Sequence, residues 1–195
     1  MNKQMGREIT NPAVEHLITD YTLSLMGLSD QYTTGHCNEV ASIVTKAARD
    51  MGFSGRDLEN ITLAGSLHDL GKQGIPNDIL IKPGALTPSE FRLIQDHVMI
   101  GVDLLNSIGF NSKVVRYVAE HHERLDGSGY PFGLKGDEIS VGGQLLGIAD
   151  VASALTSKRT YRTAFNKEEL KIFLEERCPL QFNPDLVQVV LSHCE

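Results

Sequence analysis

The chain has 195 residues, with 18 Lys and Arg against 25 Asp and Glu and a formal net charge of −7. That acidic balance argues against a broad nucleic-acid-binding surface. No apolar run approaches the ~20 residues of a membrane-spanning helix, and MNKQMGREITNP lacks the charged-then-apolar pattern of a secretory leader, so a single cytoplasmic domain over 1–195 is expected.

Apolar residues recur three and four apart along most of the chain, and strand-like alternation is scarce. The pattern predicts an all-α fold, a compact bundle of about eight helices. The first covers 12–28, with Val14, Leu17, Ile18, Tyr21 and Leu25 as its apolar face, and the second covers 36–51, closed by Met51 and Gly52. A third spans 56–70 and stops at Gly71, followed by Gly74-Ile75-Pro76. After a long loop over 71–87, Thr87, Pro88 and Glu90 form a capping-box signature that opens a fourth helix continuing to Ser107. The fifth, 111–122, runs into a glycine-rich stretch from Asp126 to Gly136; the sixth covers 138–157. Asn166 and Asn183 are N-caps for two closing helices. Loops of this length in a small helical domain are commonly functional, which places the site where the two meet. Cys37, Cys178 and Cys194 follow neither a disulfide framework nor a zinc spacing and are read as reduced thiols.

On a 3.6-residue wheel, five helices carry imidazole or carboxylate on the apolar side: His36, His68, His97, His121 with His122, and Asp150. One inward histidine is ordinarily a core residue bonded to a carbonyl. Five coincidences favour metal ligation, because burying several ionisable groups without compensation costs several kcal/mol per charge. Imidazole with carboxylate suits iron(II), manganese, zinc or nickel alike. One tetrahedral ion takes at most four protein ligands, so the set His36, His68, Asp69, His97, His121, His122 and Asp150 implies two ions. We assign His36, His68, Asp69 and Asp150 to one ion and Asp69, His97 and His121 to the other, with Asp69 as bridge; His122 is a ligand or a hydrogen-bonding partner of one. Lys72, four after His68, either reaches the same mouth or stays a solvated lysine at the helix end. Gly127 and Gly129 permit the sharp turn that brings Tyr130 beside the metals. Glu123 and Asp126 either orient ligand imidazoles or stay solvated.

His68-Asp69-Leu70-Gly71-Lys72, then His121-His122-Glu123, Asp126-Gly127 and Gly129-Tyr130-Pro131, resemble the two signatures that name the HD-GYP phosphodiesterases. Ile75-Pro76, Lys82-Pro83-Gly84, Leu86-Thr87, Ile148-Ala149-Asp150-Val151, Ala154-Leu155-Thr156-Ser157 and Arg159-Thr160-Tyr161-Arg162 extend the likeness over about 30–190. The resemblance implies a helical HD domain with two or three metal ions, usually iron or manganese, with zinc, nickel and magnesium as further candidates. It implies hydrolysis of cyclic di-GMP to linear pGpG and onward to GMP, or of a hybrid cyclic GMP-AMP dinucleotide, in bacterial second-messenger signalling. In a two-metal site a bridging hydroxide serves as nucleophile, so Asp69, Lys72 and His122 are the catalytic candidates and Lys72, Tyr130, Arg159 and Arg162 the substrate-binding ones. Lys72, His122 and a metal-bound water all remain open as donor to the leaving oxygen.

Three positions depart from the family pattern. Tyr32 stands where trinuclear members resemble one another in having glutamate, so two ions are expected. Ser153 replaces a frequent aspartate, which opens an alternative: a weak or inactive domain that binds a cyclic dinucleotide or a partner such as a diguanylate cyclase. Ala85 replaces a common lysine, a minor change. About 30 residues precede His36, too few for a sensory domain, so regulation is expected from a separate one. A homodimer is compatible with the exposed helices, though no heptad seam is expected to drive it.

Overall fold

The computed structural model describes residues 8–157 and 163–194. Among them it is all-helical, with ten α-helices: α1 Pro12–Ser29, α2 Gln31–Asp50, α3 Gly55–Leu67, α4 Asn77–Leu80, α5 Pro88–Gln95, α6 His97–Ile108, α7 Ser112–Glu120, α8 Val141–Thr156, α9 Lys167–Glu175 and α10 Pro184–Leu191. The core is built by the apolar faces of α2, α3, α7, α8 and α10, with Val40, Val44, Ile61, Leu67, Val118, Leu146, Ile148 and Val187 among its buried side chains. No helix of the described residues is long and apolar enough to cross a membrane. Cys37, Cys178 and Cys194 are free thiols.

The helix starts follow capping chemistry. Asp30 ends α1 and begins α2, its carboxylate accepting from the Thr33 amide at 2.9 Å, so α2 starts five residues before the expected position and His36 lies in its second turn. Thr87 and Glu90 form the expected capping box, and Asn166 and Asn183 cap α9 and α10. Lys82 Nζ donates to Glu90 at 2.7 Å, and this ammonium with the Thr87 donors lowers the Glu90 carboxyl to about 2. A carboxyl lowered on folding stabilises above its unfolded value of about 4.5 and loses that contribution as pH falls through its folded value. We therefore expect the amide protection factors of α5, corrected for the intrinsic pH dependence of exchange, to fall selectively as pH falls from about 5 to about 2. Uniform exchange across the chain over that range would contradict it.

Three expectations need correction. The third helix ends at Leu67, not 70: His68 is its C-cap, and Leu70–Gly74 form a 3₁₀ turn. The fourth divides at Asp96 into α5 and α6, where the His97 ring takes the Ile94 carbonyl at 2.6 Å. Most of the expected inward face of α1 is exposed: Leu17 and Tyr21 are 69% and 65% exposed, while Glu15, Thr19 and Met26 are buried and, of that face, Ile18 packs against the core. Arg56 of α3 forms a 2.5 Å ion pair with Glu15, fixing the roll of α1 so that the charged residue of that turn faces inward.

Candidate metal centre

The ends of α3, α5 and α7 carry His68, His97 and His121. Each ring places Nδ1 on the carbonyl three residues back: Gly65 at 2.8 Å, Ile94 at 2.6 Å and Val118 at 2.6 Å. Those carbonyls belong to last helical turns, which lack an intrahelical partner. A carbonyl can only accept, so Nδ1 carries the proton and Nε2 is left with its lone pair. All three Nε2 atoms are buried without a hydrogen-bond partner. Unpaired buried acceptors are costly, and three aimed at one region fit a cation.

Two carboxylates complete the region. Asp69 turns Oδ2 to His68 Nε2 at 3.4 Å and His36 Nε2 at 3.9 Å, and Oδ1 to His97 Nε2 at 3.5 Å. Asp150 sits with Oδ1 at 2.9 Å from His36 Nε2 and 3.7 Å from His68 Nε2, and with Oδ2 at 3.9 Å from His122 Nδ1. Candidate ligand atoms of His36, His68 and Asp69 lie within 4.8 Å of one another, and so do those of His97, His121 and His122. The seven residues singled out from the sequence thus meet as two adjacent groups, with one oxygen of each aspartate facing each group. Sequence reasoning placed Asp150 on one side alone.

The electrostatics suit a cation. Burial opposes charge on the Asp69 and Asp150 carboxyls, yet Lys72 with His68 and His97 holds the first well below the carboxylate range, and His36 and His68 hold the second there. Burial lowers His97 and His121, and brings His122 to about 3, so these rings are neutral and able to ligate. Burial also opposes charge on His68, but Asp69 beside it overrides this and raises its basicity. Its Nε2 faces both carboxylates, at 3.4 Å from Asp69 and 3.7 Å from Asp150, where a cation would be stabilised.

Close backbone packing sets the positions. A Cβ on Gly147 of α8 would lie 2.4 Å from the His121 carbonyl oxygen, so the absence of one lets α8 lie against the end of α7 and brings Asp150 opposite His122. Arg124, absent from the sequence argument, donates Nη1 to the carbonyls of His121 at 3.1 Å and Glu123 at 2.7 Å.

Lys72 places Nζ 2.6 Å from Asp69 Oδ2, an ion pair on a ligand carboxylate that the sequence did not foresee. Tyr130 stacks on His122, with ring centroids 4.6 Å apart and 28° between planes, and meets Phe91 of α5 edge-on at 6.4 Å. The glycine-rich loop thereby meets the helix that ends the first long loop. Burial raises the Tyr130 phenol, so it stays a proton donor at neutral pH. Arg159 and Arg162 lie outside the described residues.

Glu123 takes neither role expected of it. It is buried, and its carboxylate accepts from the backbone N–H groups of Phe132 at 2.7 Å, Gly133 at 3.2 Å and Leu134 at 3.0 Å. The signal was an acidic residue directly after two inward histidines, beside a loop rich in free amides. Glu123→Ala removes the acceptor of three amides; at about 1–3 kcal/mol per unsatisfied buried group, we expect a loss of roughly 3 kcal/mol or more in chemical denaturation. Unchanged stability would show that water replaces the carboxylate.

A family model described as "HD domain" matches residues 12–185, and the chain belongs to that family. Its relatives place the HD-GYP resemblance within it. A cyclic di-GMP phosphodiesterase of Thermotoga maritima is 36% identical over 192 residues, 91% of this chain and 52% of that protein. A 3'3'-cGAMP-specific phosphodiesterase 2 of Vibrio cholerae is 38% identical over 163 residues, 83% of this chain and 31% of that protein. The chain spans about half, or less, of the length of these relatives. Among solved structures, an HDG"Y"P protein from Bdellovibrio bacteriovorus superposes with a TM-score of 0.68 at 17% identity over 93% of this chain and 64% of that one, a likeness of fold. A V. cholerae cyclic GMP-AMP phosphodiesterase superposes with a TM-score of 0.61 at 27% identity over 94% and 41%.

Proposed function

We propose that this chain is a metal-dependent phosphodiesterase of cyclic dinucleotides, cyclic di-GMP or its 3'3'-cGAMP analogue, with the two histidine groups holding one divalent ion each. The observation that carries the reading is the set of three partnerless Nε2 atoms, with those of His68 and His97 facing Asp69 and that of His121 grouped with His97 and His122. His36 and His68 would hold one ion and His97, His121 and His122 the other, with Asp69 and Asp150 facing both groups. Such an ion pair supplies charge neutralisation of a phosphodiester and activation of water. Iron and manganese are the ions we favour on the family resemblance; the mixed nitrogen and carboxylate ligands suit them, and suit zinc and nickel equally.

The chain's own residues account for the rest. Lys72 keeps Asp69 ionised and turned toward the histidines while presenting an ammonium at the mouth, where a phosphate oxygen would meet it. Tyr130 offers an apolar ring and a protonated phenol beside His122, suited to a base or ribose edge. Arg159 and Arg162 are assigned to the dinucleotide's phosphates or guanine edges on the family resemblance. Linear pGpG is the expected first product. The alternative of a non-hydrolytic binding module rested on Ser153, and its weight falls because Ser153 still bonds His36 Nδ1 at 2.9 Å.

Anaerobic reconstitution with iron(II) or manganese, addition of cyclic di-GMP or 3'3'-cGAMP, and chromatography of the products test the reading, with His97→Ala as control. Two metals per chain and linear dinucleotide that disappears in the variant support it. Dinucleotide bound but uncut would turn the assignment to a receptor.

A further inference from the structure

Glu39 lies one turn after His36 on α2, at the protein surface, and its carboxylate reaches across to the end of α8. There Oε2 accepts from Ser153 Oγ at 2.8 Å and from Ser157 Oγ at 3.2 Å. Ser153 is fully buried, and its Oγ is also 2.9 Å from His36 Nδ1. An ionised carboxylate only accepts, and the serine has a single hydroxyl proton, which goes to Glu39. His36 must then donate its Nδ1–H to Ser153 Oγ. Nε2 faces Asp150 Oδ1 at 2.9 Å, and on the metal-centre reading its lone pair would be the one offered to an ion.

We infer that Glu39 and Ser153 form a positioning relay that fixes the tautomer and orientation of His36 for metal binding. Metal-bound histidines ordinarily pass their second N–H to a carboxylate, a carbonyl or water. His68, His97 and His121 use carbonyls, whereas His36 sits inside α2, where backbone carbonyls are taken by the helix itself. It requires a side-chain acceptor, and the hydroxyl of Ser153 connects it to a carboxylate otherwise out of reach. Glu39 also holds Ser157, the C-cap of α8, so one carboxylate ties the first metal group to the end of that helix. Both residues act through His36 and touch no substrate.

The relay rests on the metal-centre reading, and manganese binding to the full chain separates the two. Manganese(II) is titrated into the metal-free protein while the free ion is followed by electron paramagnetic resonance, for the wild type, Glu39→Gln, Ser153→Asp and the double variant. Glu39→Gln is expected to weaken one of two sites by about 10- to 100-fold, the usual effect of losing such a partner. Ser153→Asp alone is expected to weaken it too, because a second carboxylate then faces Glu39. The double variant should recover toward wild type, since Asp at 153 binds His36 directly and the amide at 39 donates to it. Recovery of this kind distinguishes the relay from a merely structural role, and thermal melts report folding.

Wild-type affinity in Glu39→Gln, with two ions bound, overturns the relay and leaves the metal centre standing. So does a double variant no better than the weaker single one. A wild type that takes up no manganese overturns both. Glu39 is at the surface, so its variant decides the matter even where Ser153→Asp does not fold.

Discussion

Asp69→Asn is expected to abolish turnover and to lower metal content from two ions per chain to one or none. The side chain faces both histidine groups, at 3.4 Å from His68 and 3.5 Å from His97, and carries the Lys72 ion pair at 2.6 Å. Asparagine keeps the shape, but it replaces one oxygen with an N–H₂ donor that points at a cation or at a histidine lone pair. On the proposed two-ion reading, both ions would lose a negative ligand. If the metals supply about 4 kcal/mol of transition-state stabilisation, the rate falls by roughly a thousandfold. Elemental analysis of the purified variant, with product chromatography, checks both parts. Full metal content with wild-type turnover would remove Asp69 from the centre and return it to a structural ion pair.

Gly71→Ala should destabilise the fold and the second metal group together. An added Cβ would lie 1.8 Å from the His97 carbonyl oxygen, 2.8 Å from its carbon and 2.5 Å from the Gly101 amide nitrogen, all backbone atoms. Neither the 3₁₀ turn after Asp69 nor the first turn of α6 can yield without moving a candidate ligand. Overpacking of this severity costs roughly 3 kcal/mol, a fall in melting temperature of about 6–12 °C for a chain of this size. Gly35→Ala on α2 is the control: no atom lies within 4 Å of the added carbon, and a glycine replaced within a helix is expected to gain up to about 1 kcal/mol. A Gly71 variant that melts with the wild type would mean that the two turns separate freely.

The histidines were legible because a wheel reports direction, and that direction survives one residue past a helix end. His68 and His121 therefore point inward as expected although α3 and α7 stop just before them. What the wheel misses is why they stop: the imidazole hydrogen takes a last-turn carbonyl, a choice no hydropathy pattern records. The break at Asp96 was hidden for the same reason. The face of α1 was misread because apolar spacing marks a stripe without saying what lies opposite it, and the Glu15–Arg56 pair decided the roll. Glu39 gave no signal, being an ordinary charged residue in sequence whose role depends on α8, more than a hundred residues away. Glycines 71 and 147 read as a helix stop and a small residue; only the crossing chains show why a side chain is excluded.

The helix-end histidines also set what substitutions each position tolerates. Asparagine places an amide near the Nδ1 position and could keep the bond to Gly65, Ile94 or Val118, yet it is too short to reach where Nε2 points. Glutamine reaches outward with an acceptor but gives up the carbonyl. Neither isostere does both jobs, since only an imidazole joins a donor and a lone pair on opposite sides of one rigid ring. Drift at these three sites would therefore be blocked twice over, by the carbonyl each ring takes at a helix end and, on the proposed reading, by the need to hold an ion.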